Sequence, residues 1–304
     1  MILPVAGKTI GLDKGKCELP FLSHAHGDHT GGMKRKEEII ATAATLELAR
    51  LNAVPITHPG TQMLNAGHIL GSTMLWAETD GGTVLYTGDF RTEDGICTKG
   101  ANSKEADRLI IECTYGDPSF SFPKPEETYS EISTWVKQNQ NSILLFGAYN
   151  LGKTQEIIKV LNEYCGITPV VTQESEHFNS VYEKHGVKLE RVVVGTDEAE
   201  EVMRDSFVAI TTPRIARRSF ASRLSSAFNR RAYCAGISGW VQKYRMNIDA
   251  GFPLSDHSDF ADILKYVELV NPKEVVFVHG DGTYLMNELN KRGGGLVASL
   301  GKSS

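Results

Sequence analysis

The sequence predicts an α/β protein in two parts. Three observations carry this. Short apolar runs recur and end at glycines or polar turns; from about residue 126 they alternate with longer amphipathic stretches; and near 117–125 the texture changes to Pro, Ser and Phe. From residue 1 to about 116 the pattern reads as strands joined by Gly-rich turns, with one helix over 36–52 (EEIIATAATLELARLN). Strands are expected at 61–64, 74–78, 84–87 and 109–112, with Asp80-Gly81-Gly82 as a hairpin turn. A helix at 126–140, a strand at 142–146, a helix at 154–164 and strands at 170–171 and 191–194 follow. That alternation predicts a small unit with a parallel sheet. The last section returns a helix at 260–270, a strand at 274–278 and a helix at 284–291.

Composition excludes several classes. A chain of 304 residues with 41% hydrophobic and 23% charged residues is that of a globular protein with ample core. Five cysteines without regular spacing argue against a disulfide framework and for a reducing compartment. The first residues lack a basic region followed by a long apolar stretch, and no run approaches the ~18 apolar residues of a membrane span. The expectation is a cytoplasmic protein without a membrane partner; a homo-oligomer is left open. A net charge of −5 carries no global nucleic-acid signal, so any such signal must be local.

The densest chemistry lies in Ser23-His24-Ala25-His26-Gly27-Asp28-His29, where three imidazoles and a carboxylate fall within six positions. The stretch follows an apolar run and precedes a Gly-Gly pair, as a strand end opening into a loop and then a helix would. On such a loop His24 and His26 can share one metal, and Asp28 and His29 a second. Imidazole with carboxylate suits Zn, Mn or Fe(II). Three further residues sit where apolar runs end beside a glycine: His68 after Gly67, Asp89 after Gly88, and His279 before Gly280. Together they complete a set for two ions: His24, His26 and His68 for one, Asp28, His29 and His279 for the other. Asp89 can bridge both, because one carboxylate can hold ions ~3.5–4 Å apart.

HAHGDH, AGHILGS and YTGDF resemble the motifs of the metallo-β-lactamase superfamily, and Asp13 in GLDKG matches its first aspartate, which orients the metal loop. IIECTYG, PLSDHSDF and FVHGD resemble the extra motifs of its β-CASP nucleases, carried by Glu112, His257 and His279. AYNLGKTQE, SGWVQ and GFPLSDHSDF look closest to compact members of mRNA 3′-end-processing or DNA-ligase-associated exonuclease type. The resemblance covers nearly the whole chain. It implies a four-layer αββα sandwich from 1–116 and 250–304, an inserted α/β β-CASP domain over 117–249, and a site in the cleft between them. It also implies two Zn ions, with Mn as the other suitable ion, Asp28 among the catalytic residues, and cleavage of RNA or single-stranded DNA to leave a 5′-phosphate.

A phosphodiester is a poor electrophile with a poor leaving group. Two metals address both by lowering the pKa of a shared water and neutralising charge on the phosphate oxygens. The resemblance implies His257 as the proton donor to the leaving oxygen, with Glu112 keeping it protonated. Two rivals use the same residues differently: a thioester or lactone hydrolase on the same core, and a nucleic-acid-binding scaffold with an inactive site. Cys113 reads as core rather than nucleophile, and His58, His177 and His185 fit no motif.

Local charge supplies the substrate reading. Between Ser206 and Ile248 there is no acidic residue, while Arg214, Arg217, Arg218, Arg223, Arg230, Arg231, Lys243 and Arg245 are interleaved with Phe220, Phe228, Tyr233, Trp240 and Tyr244. Arginines beside aromatics suit a single strand, charge tracking the backbone and rings stacking on bases. A second expected phosphate contact is Lys153, at the helix start in Asn150-Leu151-Gly152-Lys153-Thr154. The first glycine of a nucleotide-binding P-loop is absent there, so triphosphate binding is not expected.

Overall fold

The computed structural model describes residues 1–292 and 296–301. The chain divides into two compact units, one of residues 1–94, 98–121 and 256–304, the other of 95–97 and 122–255. The first unit opens with β1 (Ile2–Val5), β2 (Lys8–Leu12), β3 (Leu19–Phe21), β4 (Glu38–Ile40) and β5 (Val54–Ile56). These form a sheet in chain order, antiparallel between β1 and β2 and parallel thereafter. The expected helix over 36–52 is here divided. Glu38–Ile40 is a strand between β3 and β5, and only α1 (Ala43–Leu48) is helical, capped by the Thr42 hydroxyl accepting from Thr45 N. Burial of Ile39 and Ile40 in the sheet outweighs a helical pattern that continues through them.

Four strands follow: β6 (Thr61–Asn65), β7 (Thr73–Thr79), β8 (Gly82–Tyr86) and β9 (Arg108–Glu112). Thr79 pairs with Gly82 across the expected hairpin turn. The second unit then adds α2 (Pro125–Gln138), β10 (Ile143–Gly147), α3 (Lys153–Val160), β11 (Val170–Val171), α4 (Gln173–Lys184) and β12 (Val192–Val193). It is completed by α5 (Asp197–Val202), β13 (Val208–Thr211), α6 (Arg218–Phe228), β14 (Ala232–Ile237) and β15 (Ala250–Phe252). Its sheet is wholly parallel, in the order β12-β11-β13-β10-β14-β15. The five residues of β10 are all buried, as a central parallel strand covered on both faces requires.

The chain returns to the first unit with α7 (Phe260–Val270), β16 (Glu274–Val278), α8 (Thr283–Arg292) and β17 (Val297–Leu300). These strands extend the second sheet of that unit to the order β17-β16-β9-β8-β7-β6. Leu3, Val5, Ile10 and Phe21 of one sheet pack with Leu75, Tyr86, Ile110 and Val276 of the other. The outer face of the second sheet is covered by α7 and α8 through Ile263, Val267, Leu285 and Leu289, and that of the first by Leu46 of α1. The layers are therefore αββα. In α7, Ile263, Leu264, Val267 and Val270 recur at helical spacing and are buried, contributing ~1.5–3 kcal/mol each. Asp259 caps this helix by accepting from Asp262 N at 3.0 Å. No helix among the described residues is long and apolar enough to cross a membrane.

Candidate metal centre

The functional side chains stand at strand ends of the first unit. His24, His26, Asp28 and His29 follow β3, His68 follows β6, Asp89 follows β8, Glu112 closes β9 and His279 follows β16. His257 lies two residues before the α7 cap, in a loop held by Ser258, whose N–H donates to Phe90 O and whose hydroxyl accepts from Thr92 N.

One ligand atom from each of His24, His26, His68 and Asp89 lies within 4.8 Å of the others. His26 Nδ1 is 3.1 Å from His24 Nε2 and 3.0 Å from His68 Nε2; Asp89 Oδ2 is 3.5 and 3.8 Å from the same two nitrogens. A tetrahedral ion with ~2.0–2.1 Å bonds spaces its donors by roughly 3.4 Å, so the observed separations fit one. The far sides of the rings agree. His68 Nδ1 donates to Asp256 O at 2.8 Å, leaving Nε2 a bare lone pair. Ser23 Oγ donates to Asp13 Oδ2 and so accepts from His24 Nδ1, which also leaves that Nε2 bare. Burial, with the neighbouring histidines adding to it, pushes the His24 imidazole well below its usual range. Burial does the same for His68 against the pull of Asp256. Both are neutral, as a ligand must be.

Asp89 divides its oxygens. While Oδ2 faces His24 and His68, Oδ1 lies 3.4 Å from His29 Nε2, which is 3.8 Å from Asp28 Oδ2. The His279 ring centre is 4.8 Å from that of His29. This second set is more open, with the Asp28 side chain 78% exposed. Burial raises the Asp89 carboxyl to about 7, the neighbouring imidazoles opposing it. His29 is depressed by burial but raised further by Asp13, to about 9, so without an ion its position holds a proton.

Glu112 is fully buried and accepts from His257 Nδ1 at 2.7 Å, Thr114 N at 2.9 Å and Phe90 N at 3.2 Å. Burial alone would raise its carboxyl; the His257 charge and these bonds hold it below the usual range. For His257 burial works downward, but Glu112 outweighs it and the imidazolium persists to about 10. The His257 ring lies 4.6 Å from that of His68. The proton-bearing His257 ring is thus beside the donor cluster.

The sequence reading missed three supports. Tyr86 donates to Asp13 Oδ2 at 2.7 Å, Ser23 links Asp13 to His24, and Asp256 O orients His68. Only Asp256 carried a signal, its place next to His257. Cys113 is buried, donates to Val278 O and has its thiol pushed by burial up to about 12, in line with a core role.

Lys153, Arg214, Arg217, Arg218 and Lys243 belong to the second unit. Lys153 differs from expectation. It is 3% exposed, its ammonium lies 3.8 Å from Glu156, and Glu156 accepts from Tyr129 Oη. The adjacent Gly152 N–H donates to Gln155 Oε1. That helix start is thus committed to internal partners rather than presented to a phosphate. Arg214, Arg217, Arg218 and Lys243 are exposed.

Fold and donor set together define a metallo-hydrolase site on an αββα sandwich. Residues 245–288 match the family model described as a Zn-dependent metallo-hydrolase RNA specificity domain, a span that includes His257 and His279. The chain is 33% identical over 297 residues to a probable DNA ligase of Opitutus terrae, covering 90% of this chain and 28% of that protein. It is 25% identical to cleavage and polyadenylation specificity factor subunit 3 of Dictyostelium discoideum, covering 81% and 38%. With the 5′ exonuclease Apollo of Gallus gallus it shares 24% identity, covering 89% and 60%. It therefore spans less than two thirds of the length of these relatives. A crystal structure of a protein of unknown function from Enterococcus faecalis V583 shares the fold, with a TM-score of 0.60, 14% identity and coverage of 94% and 79%. The chain is thus similar, over most of its own length, to these relatives, in line with the resemblance of its motifs to the metallo-β-lactamase superfamily and its β-CASP branch.

Proposed function

We propose that this chain hydrolyses phosphodiester bonds of RNA or single-stranded DNA with two bound zinc ions, leaving a 5′-phosphate. The observation that carries the reading is the pairing of the His24, His26, His68 and Asp89 donor cluster with buried Glu112 and its partner His257. His24, His26 and His68 would hold one ion, Asp28, His29 and His279 the other, with one Asp89 oxygen toward each. Bound there, the ions supply an activated water and charge neutralisation on the phosphate. His257 carries the proton that the departing oxygen needs, and Glu112 keeps the ring charged and oriented. Asp13 fixes His29 through its Nδ1. Manganese also suits the donors. A cytoplasmic location accords with the cysteine usage.

End-labelled single-stranded RNA and DNA oligomers, incubated in parallel with Zn or Mn, test this. Shortened products, with ladders read from both ends, are expected. Intact strands alongside hydrolysis of a thioester or lactone overturn the assignment. His257→Ala should lower turnover by ~10²–10⁴-fold while the ion content by elemental analysis stays unchanged. Loss of an ion in that variant would make His257 a ligand.

A further inference from the structure

We infer that the exposed face of α6, together with the adjoining segment 243–247, is a docking surface for single-stranded nucleic acid. The inference rests on the nuclease reading and assigns the second unit a part in it. At ~100° per residue, Arg218, Ser219, Ser222, Arg223 and Ser226 share the solvent side of this helix, and all five are exposed. The opposite side is committed to the core through Ala221, with Phe220 and Leu224 beside it. The solvent face is therefore arginine and serine without an acidic residue. Arg218 and Arg223 are separated by about 7.5 Å along the axis, and the short serines between them let a backbone approach closely.

The surface extends past the helix. Arg214 and Arg217 are exposed just before it. Arg218 N donates to Asn247 O, which ties the helix start to the 243–247 segment. In that segment Lys243, Tyr244, Arg245 and Met246 are all exposed, Tyr244 at 55%. Asp249 offsets part of this charge by pairing with Arg218 at 2.7 Å, and Asp205 pairs with Arg230. Arg217, Arg223 and Arg245, all exposed, can face phosphates, Arg223 from over the Phe220 ring, and the exposed Tyr244 ring can face a base. An exposed aromatic next to exposed arginines suits unpaired bases, since a duplex buries its base faces.

The test is fluorescence anisotropy of the full chain with a fluorescein-labelled phosphorothioate oligothymidylate of about 20 nucleotides, titrated with salt. The linkages resist cleavage and keep their charge. Arg217→Ala/Arg223→Ala should reduce the magnitude of the slope of log affinity against log salt by ~1.4, two phosphate contacts at ~0.7 each. Tyr244→Ala should weaken binding about tenfold. Lys184→Ala/Lys188→Ala, an equal loss of charge elsewhere on the second unit, should leave the slope as it is; circular dichroism checks that each variant is folded. An unchanged slope in the folded double variant, or duplex bound as tightly as single strand, overturns the surface. Cleavage of ordinary strands by wild type is read separately. Strands cut while the slope is unmoved sink the surface alone; strands bound through these residues but never cut sink the nuclease reading alone.

Discussion

Asp13 offers no ligand to either donor set, yet it sets the geometry of two histidines. Its backbone is left-handed at φ 50°, and its carboxylate accepts from Ser23 N, Ser23 Oγ, His29 Nδ1 and Tyr86 Oη, each at 2.7 Å. Asp13→Asn must turn an amide N–H toward one of those donors. Zinc affinity should fall by ~10–100-fold in a competitive chelator titration; an unaltered affinity would show that the ligands hold themselves. Glu112 makes the parallel case for the acid. A raised imidazole pKa means that the proton is retained to higher pH, and here burial opposes while Glu112 raises it to about 10. In Glu112→Gln burial is opposed only by Asp89 and Asp256, so the alkaline fall in kcat should move to lower pH. A profile that stays in place would remove Glu112 from control of His257. The donors themselves were legible because three histidines and an aspartate within six positions have little other use. Ser23 and Tyr86 were not, because a serine and a strand tyrosine look the same whether or not a carboxylate folds back onto them.

At the scale of elements, His68 is placed by a turn that only glycine can make. Gly67, just before His68, has φ +74°, and an added Cβ would stand 2.2 Å from Arg91 O and 2.8 Å from Ala101 N. Those are backbone atoms and cannot swing aside. Gly67→Ala should therefore destabilise the fold by at least ~2 kcal/mol in denaturant unfolding. A change within error would mean that the 67–68 turn relaxes freely. Elements whose pattern is local were readable in advance: α7 spans 260–270 and β16 spans 274–278, the limits expected from periodicity. The stretch after residue 36 was not, because Glu38–Ile40 becomes a strand only through partners distant in sequence, β3 and β5. Lys153 misled for a related reason. The exposure of a lysine at a helix start depends on whether a buried acid, here Glu156, awaits it.

Across the whole molecule, averages conceal the features that matter. A net charge of −5 hides the acid-free span 206–248, and nine histidines spread over the chain hide the convergence of six of them in one unit. That convergence joins residues 24–89 to residues 257–279, and an ion held by Asp28, His29 and His279 would tie together the two segments that build the sandwich. An unfolded chain cannot preserve the arrangement, so binding favours the folded state by RT ln(1 + [L]/Kd), about 2.7 kcal/mol at a hundredfold excess over Kd. For a unit of this size that is a rise of roughly 5–10 °C in the midpoint. Trp76, in β7, reports on that unit, whereas Trp135 and Trp240 lie in the other. Labelling with 5-fluorotryptophan separates the three as fluorine resonances, each assigned by a single Trp→Phe substitution. Zinc should raise the midpoint of the Trp76 signal, chelator should reverse it, and His24→Ala/His29→Ala, which takes one donor from each proposed set, should abolish the response. A Trp76 midpoint indifferent to zinc would mean that the imidazoles gathered at these strand ends hold no ion strongly enough to stabilise the fold.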